Sequence, residues 1–457
     1  MNKRLTIFIF AILVFSLVLS ACQPAAPAAE EAPAAEEAAE EAVVEEAEEA
    51  EMEEITLNIM MEGVPDTDYV QALLPQFEEE TGIKVNVEVL NYALMHEKLV
   101  PQLTAGEGEG SYDIIVVDNY WVGEFTGAGW LVELDEYINS SDVVDMDAYL
   151  PSMVDMVGVQ NGKTYMLPFY NYAMALIYRE DLLNDAELQA EYKEEYGTDL
   201  VLPDNLEDYV ELAKFMTRDT DGDGEVDIYG AGMMGLRPDP TAMEWLNYLY
   251  SSGGLLYDEE GNTVVDSEAG VKALTLYKDA MENAAPPGAP AYGFDEAFST
   301  MAQGKAFSYI TFNWMLPVLN DEEQSEVVGK VNVARVPGGI GLLGGWGWAI
   351  PVSSPNYDAA WKFMEWVESY DVAKERALMG GAPSRSDVFE DADVLAKYPH
   401  YSEVESIVSE AIMFPNMTRS PQIVEVLGRV ISEVVTGSKE PADGVKELGE
   451  ELAKLAD

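Results

Sequence analysis

One cysteine, Cys22, and two histidines, His96 and His400, are all that 457 residues supply of the side chains most used for disulfides, zinc and nucleophilic chemistry. Disulfides within the chain and Cys/His zinc sites are thereby excluded, and with them most Ser/His and Cys/His catalytic designs. Cations are scarce as well: 25 Lys+Arg stand against 85 Asp+Glu, a net charge of −60. A chain this anionic repels phosphate backbones, which argues against nucleic acid as a partner. An anionic small substrate is disfavoured too, unless local basic residues overrule the field. Beyond the first 22 residues no run is apolar enough to cross a bilayer. What is present is a 48% apolar composition, enough for large cores, in a length that suggests two or three units.

The chain opens with Lys3 and Arg4 before an apolar run, Ile7–Leu19, interrupted only by Ser16. That is a charged n-region and a short h-region, a targeting segment rather than a spanning helix. It ends Leu19-Ser20-Ala21-Cys22, which resembles the lipobox of bacterial lipoproteins. The resemblance implies cleavage before Cys22, lipid on that residue, and anchoring at a membrane without a protein span; a plain signal peptide is the simpler rival. Residues 23–54 form a tether dominated by Ala, Glu and Pro, with 13 Glu and neither Lys nor Arg. Such a segment cannot bury a core, and like charges extend it. Setting aside those 13 Glu and the two leader cations leaves 23 Lys+Arg against 72 Asp+Glu, or −49 for residues 55–457. The folded part is acidic in its own right.

From residue 55 the pattern reads as α/β. Ile55, Leu57 and Ile59 alternate with polar residues, and Val70, Leu73, Leu74 and Phe77 then follow helical spacing up to a stop at Thr81-Gly82. Val85, Val87 and Val89 alternate as a strand, Leu94–Leu103 is helical, and Asp113-Ile-Ile-Val-Val-Asp118 is a short apolar run suited to a strand buried on both faces. The order β-α-β-α-β begins a doubly wound sheet, whose ligands bind beyond the carboxyl ends of strands. Glu62-Gly63 and Asp118-Asn119-Tyr120-Trp121 occupy such ends. Ile423, Val426, Leu427, Val430, Ile431 and Val434 make a helix with a clean core stripe.

Seven segments carry a family resemblance. They are Phe77-Glu-Glu-Glu-Thr-Gly-Ile-Lys-Val, Tyr112-Asp-Ile-Ile-Val-Val-Asp, Gly129-Trp-Leu-Val-Glu-Leu-Asp, Gly162-Lys-Thr-Tyr-Met-Leu-Pro-Phe-Tyr, Ile177-Tyr-Arg, Gly345-Trp-Gly-Trp-Ala-Ile-Pro and Gly381-Ala-Pro-Ser-Arg. In this order, over roughly residues 55–457, the chain resembles the extracellular solute-binding proteins of ABC importers, in the carbohydrate-binding group that includes maltose-binding protein. The resemblance implies a type II periplasmic-binding-protein-like fold of two hinge-connected α/β lobes closing on a ligand. The crossings are expected near Tyr170–Met174, Pro337–Gly345 and Tyr370–Glu375. Lobe one would then be 55–170 plus 343–372, and lobe two 171–342 plus 373–457. The implied partners are a carbohydrate and the transmembrane subunits of a permease, for a receptor that acts as a monomer.

A sugar offers hydroxyls on its edge and weakly apolar C–H faces, so its site needs aromatic platforms and fixed hydrogen-bonding groups. Asn119, Tyr120 and Trp121 follow a buried strand; Tyr170 and Asn171 lie at the implied crossing; Asn313 and Trp314 follow the strand-like Phe307–Phe312. Trp346 sits in a glycine-rich stretch, where absent side chains would let a ligand approach. The family pattern puts contacts at or near Glu62, Asp118, Tyr170, Trp314, Trp346 and Arg385, with a looser match around Trp245. Each has a bland rival. Large aromatics are usually core, Arg385 could pair with a surface carboxylate, and Glu62 or Asp118 could cap a helix. Trp348, Trp361 and Trp366 read as core, and the two histidines as solvated.

Asp219, Asp221, Asp223, Glu225 and Asp227 match the first half of an EF-hand-like loop, a candidate structural Ca²⁺ site, although position twelve is Gly230 rather than a carboxylate. The rival is an Asx-rich surface turn. No other cofactor is required. Gly339-Ile-Gly341-Leu-Leu-Gly344 fits GxGxxG but is followed by Gly345-Trp-Gly-Trp and Pro351, where a dinucleotide fingerprint needs a helix. No GxSxG, HExxH or Walker A motif is present. The sequence thus points to a binding protein rather than an enzyme. The alternatives are the same fold binding a cationic solute such as a polyamine, and a secreted glycoside hydrolase using paired carboxylates.

Overall fold

The computed structural model describes residues 55–456. The leader, the lipidation site Cys22 and the tether lie outside the described residues. Eleven strands order the chain: β1 (Thr56–Glu62), β2 (Lys84–Leu90), β3 (Ile114–Asp118), β4 (Val159–Gln160), β5 (Lys163–Thr164), β6 (Leu167–Arg179), β7 (Tyr229–Gly232), β8 (Ala306–Phe312), β9 (Val331–Ala334), β10 (Leu342–Ala349) and β11 (Ile412–Met413). The β-α-β-α-β opening stands as read, with α1 over Pro65–Thr81 and α2 over Tyr92–Leu103. Pro65 begins α1 with its fixed φ, and Val70 and Phe77 face the core. Gly82 ends it at φ 74° while its N–H reaches Glu78 O at 2.9 Å, a left-handed cap that glycine adopts without strain.

Strands β2, β1 and β3 run parallel, and every residue of β3 is buried, as expected for a strand covered on both faces. The long sheet continues β3-β10-β6-β8-β7, with β9 also on β6 and β11 on β10; β4 and β5 form a separate hairpin. Two strands tie the ends of this sheet together. β6, thirteen residues and all buried, pairs with β10 through its first part and with β8 and β9 from residue 174 onward. β10 lies antiparallel to both β3 and β6, so Trp346 stands opposite Asp118 on one side and Tyr170 on the other, next to a bulge at Gly347. Residues 170–174 lie within β6 and 342–345 within β10. Residues 370–375 lie within a helix, Tyr370–Met379, packed beside α1, because Val372, Ala373 and Ala377 bury at helical spacing. The later helices Ser420–Val435 and Pro441–Leu452 pack instead on Asp239–Ser251 and Glu268–Asn283.

The GxGxxG stretch is explained by this packing rather than by a ligand. Gly339 has φ 92°, and a Cβ on Gly341 would sit 2.2 Å from the carbonyl oxygen of Met174. A Cβ on Gly344 would meet Tyr172 O and the Phe312 ring at 2.9 Å, and one on Gly345 would meet the methyl groups of Met156 and Met153 at 2.4 and 2.8 Å. The Cβ positions of Gly341, Gly344 and Gly345 are therefore filled by neighbouring strands and methionines. Among the described residues no helix is long and apolar enough to cross a membrane. Gly341→Ala, set against an immovable carbonyl, should lower unfolding free energy by about 1–3 kcal/mol in urea titrations. Gly345→Ala, whose two nearest obstacles are flexible methionine ends and whose third, Tyr170 O, lies at 3.1 Å, should fall nearer the lower limit.

Candidate functional site

Where the carboxyl ends of β1 and β3 meet β10, β6 and the end of β8, a cleft opens. Glu62, Asp118, Asn119, Gly344, Gly345 and Trp346 line it, with Tyr92, Tyr120, Tyr172, Met243, Phe294, Phe312 and Trp314; it holds about 500 Å³ of space, part of it open to solvent. Its position beyond strand ends follows from the sheet topology.

The aromatic walls are packed as one cluster. Trp346 meets Trp121 edge-on at 5.4 Å and Tyr92 at 6.0 Å, while Tyr92 and Trp121 stack at 5.7 Å. Tyr170 stacks on Tyr172 at 4.3 Å, two residues apart on one face of β6, and Tyr172 lies 5.6 Å from Trp314 and 6.2 Å from Phe312. The rings thus arrive from several separate segments and support one another at the separations aromatic pairs prefer.

Carboxyl groups interrupt this apolar wall. Tyr170 donates its hydroxyl to Glu62 Oε2 at 3.1 Å, and Tyr92 donates to Asp118, whose Oδ1 also accepts from Tyr120 N–H at 3.4 Å. Burial, with a smaller contribution from Asp118, pushes Glu62 up to about 8; burial likewise pushes Asp118 up to about 7 against the pull of those donors. Behind Tyr172, Asp66 accepts its hydroxyl at 3.0 Å and Ala382 N–H at 3.0 Å, and burial raises it to about 6. Beside these acids the amide of Asn119 has no partner at either Oδ1 or Nδ2, and the hydroxyl of Tyr120 has none; both residues are at most 5% exposed. Unpaired buried groups cost about 1–3 kcal/mol each.

Not every expected residue reaches the cleft. Trp121 is buried behind Trp346 and packs against His96 and Phe125. Asn171 is fully buried: its Oδ1 accepts from Asn313 Nδ2 at 2.9 Å and its own amide donates to Pro383 O. These two asparagines join β6 to the turn after β8. Trp245 is fully enclosed on helix Asp239–Ser251, where Met243 takes the wall position. Arg385 holds Asp387 through two nitrogens at 3.0 and 2.7 Å, donates to Glu368 O at 2.9 Å and lies over the Tyr149 ring. Neither Arg385 nor these partners line the cleft. The segment 381–385 instead stitches that strand in place, with Ser384 donating to Pro168 O and Phe169 O at 3.0 and 3.1 Å.

Trp348 is core, donating to the buried Glu368 at 2.9 Å, and Trp361 and Trp366 pack with Tyr137, Phe77 and Phe363. The histidines are not freely solvated. His96 meets Glu124 at 2.7 Å, and His400 is held down to about 4 by burial beside Tyr401. Sequence reading missed Tyr92, Tyr172, Met243, Phe294 and Phe312 as wall residues. Alternation from Tyr170 would have found Tyr172; the others converge only through the tertiary fold. In the acidic loop, carboxylate oxygens of Asp219, Asp221 and Asp227 lie within 4.8 Å of one another. Asp223 and Glu225 are outside that group, and Asp223 accepts Glu225 N–H at 2.8 Å.

The sequence signature described as bacterial extracellular solute-binding protein matches residues 64–374. The chain belongs to this family. A probable amino-acid ABC transporter periplasmic-binding protein of Sinorhizobium fredii is 24% identical over 375 residues, 81% of this chain and 82% of that one. The mannitol-binding protein of Pseudomonas aeruginosa is 27% identical over 326 residues, 70% of each chain. Among solved structures, an ABC transporter solute-binding protein from Agrobacterium radiobacter K84 in complex with ribitol superposes with a TM-score of 0.76 at 27% identity, over 88% of this chain and 98% of that one. The fold class and family read from the motifs therefore hold.

The pKa shifts have a direct consequence for the family member in hand. Because burial favours protonated Glu62, its contribution to stability is complete below about 4.5 and is lost as pH rises through about 8. Asp118 acts likewise between 3.8 and about 7. The ligand-free protein should therefore melt at progressively lower temperature from pH 5 to 8.5, at up to ~1.4 kcal/mol per pH unit for one group. In Glu62→Gln the slope should become visibly shallower in calorimetric scans.

Proposed function

We propose that this protein captures an uncharged polyol or sugar in the cleft and delivers it to a membrane permease as the receptor of an ABC importer. The observation that carries the reading is the pairing of aromatic walls with carboxyl groups that burial shifts toward their neutral forms. A neutral polyhydroxy compound can lay C–H faces on Trp346, Trp314 or Tyr172 and exchange hydrogen bonds with Glu62 and Asp118 without demanding that either ionise. Kinship with proteins named for mannitol binding and solved with ribitol supports the same class. The lobes are the two ends of the sheet, and ligand would favour their closed arrangement by bonding to both. A lipid anchor at Cys22 and the acidic tether would hold the receptor outside the cell beside its permease, as a monomer.

A polyamine is the second reading, favoured by the concentration of acids: Glu62, Asp118 and Asp66 with the nearby Asp239. Its binding must ionise carboxyls, so it releases protons, whereas a polyol need not. A glycoside hydrolase would need one ionised carboxylate beside one acid, while burial pushes both members of this pair toward the neutral form; we read the protein as non-catalytic. Titration calorimetry at pH 7 with ribitol, mannitol, maltose and spermidine, in two buffers of different ionisation enthalpy, separates the readings. Binding of a polyol or sugar with little buffer dependence is expected. Salt-sensitive, proton-releasing spermidine binding with no response to any sugar would replace our reading, and appearance of hydrolysed maltose would restore the enzyme.

We also propose a structural Ca²⁺ at Asp219, Asp221 and Asp227, supported by the convergence of their oxygens. Millimolar Ca²⁺ should raise the melting temperature, and Asp221→Ala should abolish the rise; equal shifts in both proteins would remove the site.

A further inference from the structure

Outside the cleft lining, one stretch of surface joins an exposed apolar side chain to an unused cation. Leu236, Arg237 and Pro238 form one wall of a groove, and Glu425 and Val426 of helix Ser420–Val435 the other, around about 970 Å³ of space, part of it open to solvent. The first wall is held rigidly. Gly235 N–H donates to Ala289 O at 2.9 Å and Leu236 N–H to Tyr292 O at 3.0 Å, and Pro238 lies so close to the helix that a Cβ on Gly428 would come within 2.6 Å of its Cα. On this fixed backbone Leu236 stays 45% exposed. Arg237 is exposed too, and its guanidinium has no ion pair or hydrogen bond among the described residues. The other seven described arginines each hold a carboxylate or, in Arg419, a backbone carbonyl. In a folded part with 72 Asp+Glu against 23 Lys+Arg, an arginine left without a carboxylate is the exception.

Three features of the groove select its occupant. An exposed leucine beside proline and valine calls for an apolar side chain. The free guanidinium calls for a carboxylate, which its planar fork can hold through two N–H groups. Glu425 on the opposite wall, joined to Arg237 by no ion pair, repels a second carboxylate and calls for a cation. A protein segment with an acid and a base flanking an apolar side chain satisfies all three at once, and in one direction only. An anionic lipid surface does not, since it would meet Glu425 and a chain of net charge −60 along with Arg237. Helix Asp239–Ser251 begins two residues beyond Arg237 and carries Met243 in the cleft wall, so the groove lies beside the cleft, yet the two linings share no residue. We propose that the Leu236–Arg237 groove is a docking surface for a segment of the permease that presents a carboxylate, an apolar side chain and a cation. This step rests on the receptor reading above.

The test measures uptake by cells that carry the full-length chain and its permease, with whichever of ribitol, mannitol and maltose the wild type binds most tightly. Arg237→Glu and Leu236→Ser should each lower the uptake rate by about tenfold or more, as loss of a central interface contact does. Affinity for the guest in titration calorimetry and the melting temperature should match wild type in both, because neither side chain lines the cleft and both are exposed. Lys362→Glu makes the same charge change at an exposed position of helix Tyr357–Val367 and should leave uptake unaltered. Undiminished uptake in Arg237→Glu would overturn the inference. So would an equal loss in Lys362→Glu, which would reduce the effect to bulk charge. Binding of phosphatidylglycerol vesicles by wild type but not by Arg237→Glu would also overturn it, by making the groove a lipid site. If the wild type binds none of the three guests, or binds one that the cells do not take up, the receptor reading fails and this step with it. If guest binding and uptake are normal in every variant, only the docking surface falls.

Discussion

β10 is held between two antiparallel neighbours, and the site depends on that register. Pairing with β3 sets Trp346 against Asp118, and pairing with β6 sets the same residue against Tyr170. A slip of one residue would turn Trp346 to the opposite face of the sheet and scatter the aromatic cluster. The close approach that keeps the register is permitted by glycine: Gly341 lies against the Met174 carbonyl, and Gly344 against that of Tyr172. Packing of the backbone thus comes first, and the binding surface is laid over it.

The second constraint is electrostatic. Glu62, Asp118 and Asp66 are brought close together in surroundings dry enough to favour their neutral forms. In a chain of net charge −60 such a cluster would repel strongly if ionised. Tyrosines answer it: Tyr170, Tyr92 and Tyr172 each give a hydroxyl to one of these carboxyls. The same rings that form the wall therefore also satisfy the acids behind it. Cations take no part in the lining. Arg376 and Arg385 instead engage Glu368 and Asp387, away from the lining.

Local pattern was enough for much of the architecture. The alternation at Leu57 and Ile59 and the spacing from Val70 to Phe77 each follow the period of one element type, the stop at Gly82 ends the helix, and the shortness of the apolar run before Asp118 favours a strand. What the helix at Tyr370–Met379 packs on was not legible, because a helical stripe does not encode its partner, and that partner, α1, is remote in sequence. That Trp245 and Arg385 do not line the cleft was hidden for a related reason. An aromatic or a cation is equally at home in a core or at a ligand, and the neighbours that decide are remote.

By itself, then, the sequence determined the secondary elements, the acidic exterior, the absence of disulfide and zinc chemistry, and the strand ends at Glu62 and Asp118, since composition and short-range periodicity govern all of these. Tertiary structure alone decided that Trp346 faces Asp118 and Tyr170, that Tyr172 and Phe312 complete the wall, and that the Asn119 amide is left without a partner. Those outcomes arise from long-range strand pairing and from what burial does to a polar group once the intervening chain has folded around it.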